Sequence, residues 1–265
     1  MKPPIKKLIH SAAAAGIFIS TIATPAFSQE TKLTSKVYTW DELPVETSKN
    51  GERRQIAEGS TDHLKYLELH TTSVGAGLAF HAPHTHDDEE LVIIKEGQVK
   101  VTVDDQSKVM GPGSIALIQA GEQHGMTNAD TTPATYYIMR YHDIEPHDVA
   151  RGKTNGGSML ISYDDTEARP TGKGTRRDYF DRPTSATENF EMHVTSLNKG
   201  EDSHAPHTHF VEEIIVIMKG NTQMHIDGQL VDAPQGSLVY LGSNVPHALK
   251  NLTDGSCEYF AFQWK

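Results

Sequence analysis

The segment His-Ala-Pro-His-Thr-His occupies residues 81–86 and recurs, letter for letter, at residues 204–209. The two copies lie 123 positions apart, and the same offset aligns residues 37–142 with residues 160–265 without a gap. Identical residues recur elsewhere in this alignment; for example, Glu68 meets Glu191. Self-similarity at one fixed offset indicates that the chain contains two copies of the same fold.

Each copy is predicted to consist of short β-strands joined by tight turns. Apolar runs of strand length at 91–94 and 214–218 are closed by Gly97 and Gly220. Return strands are predicted directly after these glycines. Because no stretch shows a long helical period, the sequence predicts an all-β protein made of two double-sheet barrels. The predicted organisation is a first domain at 36–142, a linker at 143–159 and a second domain at 160–265.

A spaced set of histidines and one glutamate occurs in both copies. In the first copy, His84 and His86 are two residues apart, so their side chains would project from the same face of a strand. Glu90 follows beyond a predicted turn, and His124 must arrive from a distant strand. Three imidazoles and one carboxylate suit a divalent ion and leave coordination positions open for a substrate. The predicted metal ligands, for one ion in each copy, are His84, His86, Glu90 and His124, and then His207, His209, Glu213 and His247.

These residues give both copies a resemblance to the cupin superfamily. Its first motif contains two histidines and a glutamate between glycines, and its second contains a glycine, a proline, a histidine and an asparagine. Together the copies resemble a bicupin, which implies two tandem jelly-roll barrels, also called double-stranded β-helices. The departures lie at turn positions: Gln119 and Gly242 replace the proline, and Asn244 replaces a glycine of the second motif. They leave the predicted ligands intact.

In architecture, with ligands in both halves, the chain resembles oxalate decarboxylases, and the Pro-His-Thr-His segment is also similar to germins. An oxalate decarboxylase has an arginine three residues before the first motif histidine, where this chain has His81 and His204. Oxalate is therefore disfavoured, because a bidentate cationic anchor is replaced by a group that is mostly neutral at pH 7. His81 and His204 are the candidate catalytic acid–base residues, with a position at the rim of the site as the alternative.

The resemblance implies three functional hypotheses. The first is a metal-dependent enzyme that acts on a small oxygen-rich molecule, such as a carboxylate, an enediol or a phenol, by oxidative or decarboxylating chemistry. It favours Mn or Fe, with Zn, Ni or Cu as alternatives. The second is an isomerase or ring-opening enzyme for oxidised or unsaturated sugars. The third is a non-catalytic binding protein. Self-association remains open, since bicupins often assemble through exposed strands.

For other charged residues, the alternation of side chains along a strand predicts a position but no function. Glu89 and Glu212 are expected to face away from the ligands Glu90 and Glu213 and to be solvated. The arginine pairs at 53–54 and 176–177 are expected on a solvated face or in ion pairs between subunits, with an anion clamp as the alternative.

The N-terminus predicts export. Lysines at positions 2, 6 and 7 precede an apolar, small-residue run, and cleavage is expected after Ser28. Removing residues 1–28 takes away three lysines and no acidic residue, which changes the formal net charge from −11 to −14. Nucleic acid and acidic membrane surfaces are therefore disfavoured as partners. We expect a periplasmic or secreted protein with no stable membrane span after cleavage and with a small-molecule substrate.

Overall fold

The computed structural model describes Met1 and residues 31–265. Its second half repeats the strands of its first half at the offset found in the sequence. The first half contains β1 (Lys36–Tyr38), β2 (Val45–Ser48), β3 (Gly51–Gly59), β4 (Leu64–Val74), β5 (Glu89–Glu96), β6 (Val99–Val103), β7 (Gln106–Met110), β8 (Ile115–Ile118), β9 (His124–Asn128) and β10 (Ala134–Asp143). One short helix, α1 (Val149–Thr154), lies between the halves. The second half contains β11 (Met159–Ile161), β12 (Arg169–Thr171), β13 (Gly174–Arg182), β14 (Phe190–Leu197), β15 (Glu212–Lys219), β16 (Thr222–Ile226), β17 (Gln229–Ala233), β18 (Leu238–Leu241), β19 (His247–Asn251) and β20 (Cys257–Trp264).

Each half folds into a barrel built from a seven-stranded and a three-stranded antiparallel sheet. The first barrel has the strand orders β11-β8-β5-β10-β4-β3-β2 and β7-β6-β9. The second barrel has the orders β1-β18-β15-β20-β14-β13-β12 and β17-β16-β19. The predicted all-β class and the tandem barrels are confirmed. The apolar runs predicted as strands are β5 and β15, and the predicted return strands are β6 and β16.

The two barrels exchange their first strands. β1 precedes the first barrel in the chain but pairs with β18 of the second, with Val37 opposite Val239. β11 pairs in the same way with β8 of the first barrel, with Leu160 opposite Ala116. Each barrel therefore needs a strand from the other repeat. For this reason the division of the chain at 36–142 and 160–265 stays a sequence-based prediction.

Apolar side chains from both barrels form one shared core between the two large sheets. Tyr137 and Tyr141 on β10 belong to this cluster together with Phe190, Phe262 and Trp264 of the second repeat. Smaller cores fill the two barrel interiors. The outer face of each large sheet is thus covered by the other barrel, which buries aromatic side chains that each contribute a large apolar area.

The expectation that Glu89 and Glu212 are solvated is wrong, because both are completely buried at this interface. Glu89 accepts hydrogen bonds from the hydroxyls of Thr184 and Ser185 and from the backbone amides of Ser185 and Ala186, all in the second repeat, and from the Tyr141 hydroxyl.

Glu212 makes the reciprocal contacts. It accepts from the Thr61 hydroxyl at 2.6 Å and from the Asp62 amide at 2.8 Å, both in the first repeat. It also accepts from Tyr240 and Trp264 of its own repeat. As the alternation of side chains along the strand predicts, each glutamate points away from the interior of its own barrel. The outer face on which it lies is covered by the other barrel. We call these two sets of hydrogen bonds the reciprocal clasps.

Among Met1 and residues 31–265, no helix is long and apolar enough to cross a membrane. The predicted export signal at 1–28 lies, apart from Met1, outside the described residues.

Candidate metal centres

The predicted ligands of the first barrel converge at its mouth, although not all of them lie on strands. His84 and His86 precede β5 in a loop, and only His84 makes a backbone bridge, with His124 at the start of β9. The His84 amide donates to the His124 carbonyl at 3.0 Å, and the His124 amide donates back at 2.9 Å. The prediction that the two histidines share a strand is therefore wrong, since the segment with Pro83 is irregular. Their side chains nevertheless point the same way.

The ring centroids of His84 and His86 both lie 4.8 Å from that of His124 and 5.6 Å from each other. Glu90, the second residue of β5, places its Oε2 atom 3.1 Å from His86 Nε2 and 3.8 Å from His124 Nε2. Three imidazoles and one buried carboxylate thus surround a common point.

The backbone fixes which ring nitrogen faces that point. The Nδ1 atoms of His84, His86 and His124 lie 3.1, 3.1 and 2.9 Å from the carbonyl oxygens of Ala82, Asp88 and Glu122. A carbonyl oxygen can only accept, so Nδ1 carries the proton in each ring and Nε2 presents a lone pair in the neutral tautomer. A hydrogen bond from the second ring nitrogen to a backbone carbonyl orients a histidine for metal binding.

The second barrel repeats the arrangement. The ring centroids of His207 and His209 both lie 4.8 Å from that of His247 and 5.3 Å from each other. Glu213 Oε2 lies 3.4 Å from His209 Nε2 and 3.1 Å from His247 Nε2. The Nδ1 atoms of His209 and His247 lie 2.8 Å from the carbonyl oxygens of Val211 and Val245.

Both groups fit a divalent cation. A neutral Nε2 lone pair at 3.1 Å from a carboxylate oxygen repels it unless a cation lies between them. Among the described residues, the buried Nε2 atoms of His124 and His247 and the Oε1 atom of Glu90 have no hydrogen-bond partner. Where a proton takes the place of that cation on Nε2, the imidazoles of His209 and His247 donate to Glu213 and lower its pKa to about 2, although burial by itself raises it. The carboxylate is therefore ionised at neutral pH and able to bind metal.

His81 and His204, the candidate catalytic residues, lie beside these groups at the cavity mouths. The His81 ring centroid is 5.9 Å from that of His84, and the His204 centroid is 4.0 Å from that of His207. Both residues are exposed, and both line the cavities above the histidine groups. Partial burial, followed by the influence of His84, lowers the pKa of His81.

The two cavities differ in size. The cavity above the first group has a volume of about 190 Å³, and the cavity above the second has about 760 Å³. Small-molecule sites usually have volumes of roughly 300–1,000 Å³, so only the second lies in this range. A further space of about 560 Å³ shares Arg176, His193 and Gln263 with the second cavity and continues past Phe180.

An ion-pair network accounts for the smaller volume. Arg140 pairs with Glu68 at 3.3 Å and also with Asp88, while Arg53 pairs with Glu68 from the opposite side. His142 Nε2 lies 2.5 Å from the Asp88 carboxylate. In the second barrel the residues aligned with Arg140 and Asp88 are the uncharged Gln263 and Val211. Arg176 pairs there with Glu191 and Asp178, and His193 contacts Glu191.

This network contains residues to which the sequence assigned no function. Arg53 and Arg176 line the cavities and pair with Glu68 and Glu191 of their own repeats. The neighbouring Arg54 and Arg177 point the other way, onto the rings of Trp40 and Tyr163. One feature of the sequence could have identified this network: an arginine, a glutamate and a histidine recur at the same offset in both repeats. Contact among these three side chains depends on strand pairing, which the pattern does not reveal.

Comparisons with known proteins agree with this architecture. A family model described as "Cupin domain" matches residues 71–140 and again 193–262. No curated protein matches the sequence.

The fold is similar to several solved structures. Oxalate decarboxylase from Lactobacillus farciminis, in a formate complex, has a TM-score of 0.68 at 12% identity, with 88% of this chain and 87% of that chain covered. AerE from Microcystis aeruginosa has a TM-score of 0.65 at 13% identity, with 88% and 97% covered. Oxalate decarboxylase from Bacillus subtilis, described with Mn(II) centres, has a TM-score of 0.65 at 13% identity, with 91% and 80% covered. At such identities the similarity concerns the fold.

Proposed function

This chain belongs to the cupin family, and on that premise we propose that it is an exported, metal-dependent bicupin enzyme acting on a small oxygen-rich organic molecule. One observation carries the proposal: three imidazoles and a carboxylate converge beneath an open cavity of about 760 Å³ in the second barrel. A buried ligand set beneath an accessible cavity is the arrangement that metal-assisted chemistry on a small substrate requires.

In this proposal each barrel holds one divalent ion through the eight predicted ligands. Mn or Fe is favoured, since a structural relative is described with Mn(II) centres, and Zn, Ni or Cu are the alternatives. A bound ion would polarise a substrate oxygen as a Lewis acid. Oxidative or decarboxylating chemistry on a carboxylate, an enediol or a phenol is the favoured reaction class.

The chain's own residues would divide the remaining work. The imidazole of His204, at the mouth of the second cavity, is placed to accept or return a substrate proton. His81 occupies the equivalent place in the first barrel, but the ion pairs of Arg140 reduce the space beside it. We therefore assign substrate turnover to the second barrel and a mainly structural metal to the first.

A second candidate is an isomerase or ring-opening enzyme for oxidised or unsaturated sugars. The observation that favours it is the additional space beyond Arg176 and Phe180, which would accept a substrate longer than a small diacid. Oxygen consumption with phenols, enediols or acids would support the first candidate. An oxygen-independent change in the ultraviolet absorbance of unsaturated uronates would support the second.

Metal content is the first test. We expect the purified protein to hold close to two metal ions per chain by mass spectrometry, and His84→Ala combined with His207→Ala to hold none. Each single variant should lose one ion and keep the other, so the unchanged barrel of each variant serves as the control. A wild-type protein that neither contains nor takes up metal would reject the proposal, and ligand binding without turnover of any candidate would favour a non-catalytic binding protein.

Export belongs to the proposal as well and rests on the lysines and the apolar run before Ser28. Intact mass measurement of the protein recovered outside the cytoplasm should give a chain that begins after Ser28. Retention of the full N-terminus in that fraction would contradict cleavage.

A further inference from the structure

The mouths of the two cavities differ in one cationic residue. Lys173 lines the second cavity, and the residue aligned with it in the first repeat is Asn50. Lys173 lies in the turn between β12 and β13, and Asn50 lies in the equivalent turn between β2 and β3. The aligned positions therefore occupy the same place in their barrels but differ by one unit of charge.

Both side chains make the same structural contact. Lys173 Nζ donates to the carbonyl oxygens of Asp202 at 2.7 Å and Ser203 at 3.3 Å. Asn50 Nδ2 donates to the carbonyl oxygen of Ala79 at 2.8 Å, and Ala79 is the residue aligned with Asp202. An uncharged amide is thus sufficient to hold the loop that leads to the histidines, so loop attachment does not explain a lysine.

The charge of Lys173 is not neutralised by its surroundings. Within the described part of the chain, no carboxylate lies within 4.0 Å of its Nζ atom, while the Asp202 carboxylate is 3.8 Å from Lys250 instead. The other cation of this cavity, Arg176, is paired with Asp178 at 2.6 Å and Glu191 at 2.7 Å. An ammonium group has three donors, and the two carbonyls use two of those on Lys173. The third remains for a ligand.

We propose that Lys173 is the specificity-determining residue of the second site and binds a carboxylate of the substrate. This inference rests on the proposed function and narrows it. The substrate would be an organic acid that extends from the histidine group to the cavity mouth, such as a uronate or an aromatic acid, and is larger than a two-carbon diacid. The first cavity, with Asn50 at the same place and about 190 Å³ of space, would not take it.

The test uses the metal-loaded full-length protein and two probe pairs, D-galacturonate and 4-hydroxycinnamate, each beside its neutral amide. Calorimetric titration should show that at least one acid binds the wild type and that its amide binds about 10-fold more weakly or worse. Lys173→Asn should weaken binding of the acid by about 10-fold or more, which is the scale of one hydrogen bond to a charged group, and should leave the amide unchanged. Lys173→Arg should restore most of the affinity.

Lys250→Asn is the matched control, because it removes a nearby lysine whose charge is already paired with Asp202. It should change the affinity for the acid less than about 2-fold. Metal content and thermal midpoint should be the same in Lys173→Asn as in the wild type, since Asn50 shows that an amide suits the turn.

Three results would overturn the assignment. One is equal affinity of Lys173→Asn and wild type for the acid, another is an equal loss for acid and amide, and the third is a wild type that binds neither acid. The proposed function fails separately: acid binding that depends on Lys173 without any turnover would reject the enzyme and keep the lysine assignment. Turnover that does not depend on Lys173 would support the enzyme and reject the lysine assignment.

Discussion

The two barrels share their ligand geometry and differ in the residues around it. In both, the second and third histidine rings lie 4.8 Å apart, and a glutamate oxygen lies 3.1 Å from one imidazole nitrogen. Around this common centre, the first barrel has Arg140 and Asp88, where the second has Gln263 and Val211. The cavity volumes, about 190 and 760 Å³, differ accordingly. The same arrangement of ligand side chains therefore lies in two different environments.

This difference indicates where functional information lies in a duplicated protein. The metal ligands are common to both repeats and so cannot distinguish the two sites. Under the proposed function, the residues that differ would decide which site admits a substrate. In this chain they belong to the ion pairs of the first barrel and to the open mouth of the second, which carries Lys173.

The largest expected effect comes from removing the glutamate of each metal centre in turn. Loss of a residue that supports a metal ligand reduces activity by up to roughly 100-fold. Glu213→Ala removes a ligand itself, so it should reduce turnover by more than this. Glu90→Ala should also lose one metal ion per chain but keep turnover within about 3-fold, since the first cavity, at about 190 Å³, is smaller than a usual small-molecule site. Metal content and steady-state rates of both variants test this.

Equal losses of turnover in Glu90→Ala and Glu213→Ala would contradict the assignment of turnover to the second barrel. Glu188→Ala, which changes an exposed glutamate outside both centres, is the control and should retain two metal ions and the wild-type rate.

The reciprocal clasps predict the next largest effect. Glu89→Ala leaves the hydroxyls of Thr184 and Ser185 and two backbone amides without their acceptor in a buried interface. Glu212→Ala does the same to Thr61 and Asp62. We expect each variant to lose about 4 kcal/mol of unfolding free energy. Urea denaturation provides the measurement, and the exposed Glu188→Ala should stay within about 0.5 kcal/mol of wild type.

A loss below about 1 kcal/mol in either clasp variant would mean that water replaces the carboxylate without cost. Glu89→Gln and Glu212→Gln keep the side-chain shape, so they separate loss of charge from loss of volume. Their losses should be smaller than those of the alanine variants and larger than that of the exposed control.

The sequence predicted the elements of each barrel well because those elements depend on local patterns. The apolar runs lie within β5 and β15, and the turns after β6 and β16 contain Asp104 and Asp227, both at a φ of 46°. The convergence of the histidines also followed from the repeat, although the segment that carries His84 and His86 is a loop.

What the sequence could not predict depends on contacts between distant elements. Alternation placed Glu89 outside its barrel, but no local pattern indicates that the second barrel covers that face. The exchange of β1 and β11 involves only three residues in each strand, too few to carry a pairing signal. The network around Glu68 requires the register of β3 against β4, which no periodicity determines.

A smaller effect concerns the pH dependence of stability in the first barrel. Burial by itself raises the pKa of Glu68, but the imidazole of His70, whose Nδ1 atom lies 3.1 Å from the carboxylate, and the charges of Arg140 and Arg53 outweigh burial and lower that pKa to about 2. The folded-state pKa lies below the ordinary value of 4.5 for a glutamate, so the stabilisation is fully present above about pH 4.5 and is lost as the pH falls towards 2. This contribution of Glu68 to the free energy of unfolding is about 3 kcal/mol.

Glu68→Gln should therefore be less stable than wild type near pH 6, and the difference should shrink between about pH 4.5 and 2. Glu191→Gln is the matched variant in the second barrel, where Gln263 stands in place of Arg140, and its difference near pH 6 should be smaller. Urea denaturation across this pH range measures both. A Glu68→Gln difference that does not change with pH would contradict the electrostatic origin.

The smallest expected effect concerns the turn before the third histidine of each centre. Gly121 has a φ of +82° and Asn244 a φ of +58°, so both repeats use the left-handed conformation at this position. In each turn the backbone amide donates at 2.8 Å to the carbonyl oxygen of a ligand, His86 or His209. Asparagine tolerates this conformation better than other residues with a side chain, and no atom lies within 4 Å of a Cβ built at Gly121.

Gly121→Asn should therefore change the unfolding free energy by less than about 0.5 kcal/mol, because lower chain entropy in the unfolded state offsets the strain. Gly121→Val, which places a β-branched side chain in the same open space, should cost about 1–2 kcal/mol. Thermal and urea denaturation of the two variants distinguish backbone strain from crowding. Equal losses for both substitutions would mean that the position rejects any side chain, and the asparagine of the second repeat would then depend on neighbours that the first repeat lacks.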